Sequence, residues 1–229
     1  MLAYPYSYQS PEHNLAIDDY LLDCVNQGQY PQGILRTWES PSYFVVLGIS
    51  KKIRDDVLLS NCETDGIPIL KRSSGGGTVL QGPGCFNYGF ILPTSLSTKL
   101  DAIPSTTAYV LSMVASVLST HVNGVTQSGV SDLTVNQVKF SGNAQRRMKQ
   151  AILFHGTILY DFNLPLVSKY LKHPPIQPDY RNNRPHHAFI QNIDLTQSVI
   201  QTELNTLTTG NIARIDSFTF ESTKYKRID

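Results

Sequence analysis

Residues 75–77 are three consecutive glycines set between the apolar runs IPIL (67–70) and TVL (78–80). Glycine loses more backbone freedom on folding than any other residue, so a triplet marks a place where the chain must take positive φ or let something approach closely. The stretch KRSSGGGTVL (71–80) therefore admits three readings: a tight turn, a phosphate cradle, or a slot in which a long ligand lies against bare backbone. Two phosphate-binding patterns drop out. No Gly-Lys-[Ser/Thr] follows to open a helix, and contiguous glycines followed by Thr78 and Val79 do not fit G-x-G-x-x-G. What remains is a strand-to-strand loop with Arg72 in front of it.

The flanking sequence supplies the strands and helices. Leu15, Ala16, Asp19, Leu22 and Val25 recur at close to helical spacing over 12–27, with Gly28 as a stop. GILRTW (33–38) and YFVVLGI (43–49) are β-branched and aromatic runs split by Glu39-Ser40-Pro41-Ser42, a strand, turn, strand signature. A short helix over 54–63 and a buried strand at 67–70 lead into the glycines, and 78–80 and 86–92 read as strands after them. Residues 104–122 predict a helix that opens on Pro104 and turns Val110, Met113, Val114 and Val117 to one face. A second strand group follows: LTV (133–135), an Asn136-Gln137 turn, VKF (138–140), AILFHGTILYDF (151–162) and a last strand near 213–220. Strict βαβ alternation is missing. The expected fold class is therefore α+β: a single domain over residues 1–229, with a large mixed, mainly antiparallel sheet flanked by helices.

Bulk properties exclude several functions. With 41% hydrophobic residues and 10% of the whole chain aromatic, the composition is that of a globular chain. A net charge of +1 and no basic stripe give no electrostatic case for nucleic acid or an anionic membrane. The longest apolar stretches fall well short of the roughly 20 residues that span a bilayer. MLAYPYSYQSPEHN at the N-terminus lacks a basic n-region and an apolar h-region, so the expected setting is cytoplasmic. Cys24, Cys62 and Cys85 are widely spaced, with no CxxC pair and no histidine cluster at zinc spacing, so no metal site is expected. Cys24 and Cys62 fall on helix core faces and read as buried small hydrophobes.

Two further residues interrupt apolar strands. Lys139, in VNQVKFSGNAQRR, either points to solvent or serves as a fixed cation beside Ser141-Gly142-Asn143, suited to holding an anionic or carbonyl oxygen. His155-Gly156, in AILFHGTILY, is either a hydrogen-bonded core pair or part of a site.

Taken together, these pieces resemble the lipoate-protein ligase and octanoyltransferase family, relatives of biotin protein ligase. KRSSGGGTVLQGPG is similar to its R-R-x-[ST]-G-G-G-x-V loop. SDLTVNQVKFSGNAQRR resembles its D-L-x-V-x-x-x-K-[IV]-S-G-[NS]-A segment, and FHGTILYDF its H-H-G-[TS]-L-L strand. The resemblance implies an ATP-dependent ligase that activates lipoate or octanoate as acyl-AMP and passes the acyl group to a lysine of a lipoyl carrier domain. That carrier would be of the 2-oxoacid dehydrogenase E2 or glycine cleavage H protein type. By motif position, Lys139 would be catalytic. Arg72, Ser74, Gly75, Gly76, Gly77 and Thr78 would line the acyl and adenylate slot, with the Arg72 fork on phosphate. Asp132, Ser141, Gly142 and Asn143 would lie near the nucleotide, and His155 and Gly156 beside the acyl chain. ATP and magnesium would be co-substrates, with no tightly bound cofactor.

The sequence also departs from the family pattern. Gln81 stands where the glycine loop usually carries a histidine. Residues 163–229 would complete the catalytic domain without room for a C-terminal accessory domain, which leaves a separate accessory subunit, or transfer from a preformed adenylate, as alternatives. The cysteine-dependent transferases of the family place their nucleophile before the lysine segment or after the His-Gly strand; here only Cys85 lies near the site, in a different loop. A lipoate-binding protein without turnover would keep the slot and have no need of Lys139. A biotin ligase would show a G-R-G-R-x-G-R-x-W type loop, unlike residues 73–78. LKHPPIQPDYRNNRPHH (171–187) is either a solvated loop or a basic rim, through Lys172, Arg181 and Arg184, for an acidic carrier.

Overall fold

The computed structural model describes residues 1–216. Its strands are β1 (Leu2–Tyr4), β2 (Ile34–Trp38), β3 (Phe44–Leu47), β4 (Ile69–Lys71), β5 (Val79–Gln81), β6 (Cys85–Pro93), β7 (Val125–Ser128), β8 (Asp132–Val135), β9 (Val138–Arg147), β10 (Ala151–Leu159) and β11 (Gly210–Asn211). Its α-helices are α1 (Pro11–Asn26), α2 (Ile53–Asp56), α3 (Leu59–Thr64), α4 (Ile103–Leu118), α5 (Pro165–Tyr170), α6 (His186–Phe189) and α7 (Gln197–Asn205). Eight strands form one sheet in the order β11-β1-β2-β6-β10-β9-β8-β7. It is parallel at the β11-β1-β2 end and antiparallel from β2 onward. The α+β class expected from the sequence is the one observed. A separate sheet, β4-β3-β5, carries the glycine loop between β4 and β5.

The centre of the large sheet is the β6–β10 pair, in register from Ala151↔Pro93 to Leu159↔Cys85. Every residue of β6 is buried, because the strand is covered on both faces. One face packs against α4 and α7 through Phe86, Phe90, Phe154, Leu111, Val114 and Ile200. Val110 and Val114 of α4 are buried as the spacing predicts, while Met113 and Val117 are half-buried at the edge of that core. The other face packs against α1, which opens on Ser10, whose hydroxyl accepts from the His13 amide, followed by Pro11. The fully buried Arg36 of β2 anchors this helix by donating to the Asn14 carbonyl and to the Asp18 carboxylate.

Four boundaries differ from expectation. The helix expected over 54–63 is two short helices, parted where Val57 bridges to Leu171. The 138–140 strand continues to Arg147, because β10 pairs with it as far as Ile152↔Arg147. The 151–162 strand stops at Leu159. Residues 213–216 are irregular, and the rest of the strand expected near 213–220 lies outside the described residues; the observed strand at this end is β11, beside β1. The Asn136-Gln137 turn is as expected, with φ of 52° and 61°, the paired left-handed conformation that suits a two-residue hairpin. Among the described residues no helix is long and apolar enough to cross a membrane.

Candidate active site

A narrow cleft lies between the α1 face of the large sheet and the small sheet. Leu15, Asp18 and Asp19 of α1 form one wall, and Arg72, Ser73 and Ser74 of the glycine loop form the facing one. The floor crosses three strands: His155 and Leu153 on β10, Asn87 on β6 and Trp38 on β2, with Gln81 of β5 above them. The cavity volume is about 20 Å³, room for about one water.

Arg72 organises the loop. Its guanidinium is buried. Nε donates to Ser74 Oγ at 3.0 Å, and one terminal nitrogen donates to the carbonyls of Gly75 and Gly77 at 2.6 and 2.8 Å. Burial lowers its pKa to about 10, still cationic at neutral pH. The fork that the resemblance assigns to phosphate is spent here on the loop's own carbonyls. Gly76 carries φ of +89°, and a Cβ on it would sit 2.9 Å from the Arg72 guanidinium and 3.3 Å from Ala144 Cβ. The triplet therefore lets the loop wrap its own arginine and lie against β9. Thr78 fixes the exit by donating to Asp56 Oδ2 at 2.5 Å, and Ser73 fixes the entry by donating to Asp19 Oδ1 at 2.5 Å, where Arg146 also donates.

Ser74 Oγ and His155 Nε2 are 2.6 Å apart. Burial, followed by the nearby Arg72 cation, lowers the His155 pKa to about 3, so the ring is neutral. Beside it, Gly156 leaves room for Asn143: a Cβ there would fall 1.7 Å from Asn143 Oδ1. That oxygen accepts from the Tyr88 hydroxyl at 2.5 Å, and Asn143 Nδ2 donates to the Ser131 carbonyl and to Ser141 Oγ. Asn143 thus joins the cleft to a second cluster on β8 and β9. There Lys139 Nζ lies 2.7 Å from Asp132 Oδ1, Tyr180 donates to Asp132 Oδ2 at 2.6 Å, and the missing side chain of Gly142 makes space for the lysine head.

The predicted residues therefore fall into two neighbouring groups. Arg72, Ser74, His155 and Gly156 line the cleft, whereas Gly75, Gly76, Gly77 and Thr78, expected there too, do not; Lys139, Asp132 and Gly142 cluster outside the lining, with Asn143 and Ser141 between. Sequence reasoning missed Asp19, Trp38, Tyr88 and Tyr180. Asp19 did leave a signal, as an acid on the apolar stripe of α1.

Cys85 is buried among Val45, Leu80 and Leu159 beneath the small sheet, away from the cleft lining. Burial, then the Glu39 carboxylate, pushes its thiol up to about 12, which leaves it protonated. The cations of the 171–187 segment differ in burial: Arg181 is buried, Arg184 half-buried and Lys172 exposed. Arg181 is buried over the Phe189 ring, Arg184 donates to the Gln137 carbonyl, and Lys172 Nζ donates to the Arg54 carbonyl.

Residues 10–204 match the lipoyl protein ligase A/B catalytic domain. The chain belongs to this family. A lipoate-protein ligase of Bacillus subtilis is 31% identical over 164 residues, covering 71% of this chain and 46% of that protein. The chain spans about half the length of the curated relatives it matches. In fold it is similar to a lipoate-protein ligase A crystallised with ATP, with a TM-score of 0.73 at 19% identity over 97% of this chain and 90% of that one. It is also similar to a Plasmodium falciparum ligase crystallised with lipoate, with a TM-score of 0.71 at 22% identity over 92% of this chain and 65% of that one. The family resemblance carried by the three motifs therefore stands.

Proposed function

We propose that this chain, acting as a single catalytic unit, activates lipoate or octanoate with ATP and transfers the acyl group to a lysine of a lipoyl carrier domain. A carboxylate does not acylate an amine at neutral pH. In the proposed reaction a carboxylate oxygen attacks the α-phosphorus of ATP, pyrophosphate leaves with its magnesium, and the carrier's amine then attacks the acyl carbon and expels AMP. The observation that carries this reading is the Lys139–Asp132 pair on β9 and β8, next to Asn143, which bonds Tyr88 of the narrow cleft over β10 and β6. A fixed cation near a cleft suits charge that develops on carbonyl and phosphate oxygens, a role commonly worth a few kcal/mol. Binding an apolar chain alone has no use for it. The relatives named for lipoate ligation and the neighbours crystallised with ATP and with lipoate support the same reading.

The test is intact mass spectrometry of an apo lipoyl carrier domain incubated with the protein in two arms: lipoate, ATP and magnesium, and octanoyl-acyl carrier protein alone. A lipoyl mass gain that requires ATP and is lost in Lys139→Ala supports the proposal. Gain from the octanoyl carrier without ATP overturns it. Gain only from synthetic lipoyl-AMP means that the chain performs the transfer step and that activation needs an accessory subunit.

A further inference from the structure

Gln81 ends β5 with its side chain in the cleft; the residue is 6% exposed, yet Oε1 is buried and accepts no hydrogen bond. A buried amide oxygen without a donor is costly to leave unmade. Its neighbours in the cleft do not relieve it: the Asn87 amide donates to the Cys85 carbonyl, and the Trp38 ring lies against the Arg36 guanidinium. A water meeting this group would move the cost, since a chain end that displaces it must repeat its hydrogen bond.

The position of Gln81 gives this gap a chemical meaning. On the proposed function the reacting carboxyl sits beside Lys139 on β9, the strand next to β10, and the cleft itself lies over β10, β6 and β2. Two strand spacings, about 10 Å, separate β9 from β6, and that is the reach of an extended eight-carbon acid. The far end of such an acid therefore arrives at Asn87 and Gln81. A saturated methyl terminus seals the amide away unpaired. A hydroxyl or thiol can both donate and accept, and so satisfies the amide in either orientation.

We propose that Gln81 is a specificity-determining residue: its amide selects acyl acids whose far end carries a hydroxyl or thiol, the dithiol form of a lipoyl chain included, over plain saturated acids. This rests on the reading of the cleft as an acyl site. The test is calorimetric titration of the protein with octanoate and with ω-hydroxyoctanoate, on the natural chain and on Gln81→Leu, with Gln81→Met as a second apolar variant should the leucine protein fail to fold. The natural chain should bind the hydroxy acid about tenfold more tightly. The apolar variant should bind octanoate at least as well as before and lose that preference to within about twofold. Equal preference in the natural chain and the variant overturns the inference and leaves the acyl reading intact. Failure of the natural chain to bind either acid overturns both.

Discussion

The Ser74 hydroxyl and the His155 imidazole, 2.6 Å apart, bind the glycine loop to the central strand of the large sheet. Ser74 Oγ also accepts from Arg72 Nε, which leaves it a proton and a second lone pair for the contact with Nε2. His155 is neutral, its pKa lowered to about 3 by burial and by Arg72.

This relay has a pH signature. In the unfolded chain the histidine titrates near 6.5 and in the folded chain near 3, so between those values the unfolded state holds the extra proton. The folded state is favoured by this difference above about pH 6.5, and the advantage is lost as pH falls through that window, by about 1.4 kcal/mol per unit at full slope. Urea titrations at about pH 7 and about pH 4.5 should show this loss, and His155→Gln should flatten it. Parallel losses in the two proteins would assign the acid sensitivity elsewhere.

The sequence made the three motif segments legible because each carries a residue that its strand would otherwise reject: three glycines, a lysine in an apolar hairpin, a histidine in an apolar run. It did not show how they meet. The registers Asn143↔Gly156 and Asp132↔Gly142, which bring the lysine segment to the His-Gly strand, depend on pairings between separate strands. For a related reason the motif marks Arg72 as an important cation but does not show its partners in this structure, the carbonyls that the glycines expose. Tyr180 was invisible because nothing in a proline-rich segment signals that its hydroxyl reaches Asp132, 48 residues earlier.

Gly156→Ala tests whether the packing around Asn143 holds the site together. The added Cβ would overlap Asn143 Oδ1 and press within 2.8 Å of the Tyr88 hydroxyl, both on the interior side of β10. Relief requires breaking the buried Tyr88–Asn143 bond, so stability should fall by about 2 kcal/mol or more. Thermal denaturation checks the fold, and acyl transfer should fall with it. A variant as stable as the natural protein would mean that Asn143 turns away at little cost.

Lys139→Ala removes the cation of the second cluster while leaving the cleft lining intact. If its charge acts on the oxygens of the reacting centre, kcat should drop about 100- to 1000-fold, with KM for lipoate changed less than about threefold. Steady-state kinetics separates the two parameters. A rise in KM at unchanged kcat would make Lys139 a ground-state anchor.

Cys85→Ala separates adenylate chemistry from a thioester route. The thiol is buried, protonated and turned into the small-sheet core, so its loss should cost stability through a modest cavity and leave carrier acylation within about threefold of the natural rate. Abolished transfer in a folded Cys85→Ala protein would establish a covalent acyl intermediate, and with it a different reaction.

A cavity of about 20 Å³ cannot take an eight-carbon chain, so substrate entry must move a wall. The large-sheet floor is held by long strand pairings, whereas the glycine loop is held by one backbone bond from Ile49 to the Ser74 carbonyl, by its own Arg72, and by side-chain bonds at Ser73, Ser74 and Thr78. Of these, the Ser73–Asp19 bond ties the loop directly across the cleft to α1. Ser73→Ala should therefore loosen the loop, speed hydrogen exchange of its amides over residues 72–78, and raise the association rate for octanoate several-fold, with exchange in β6 and β10 unchanged. Faster exchange in α1 with an unchanged loop would instead make the helix the moving wall.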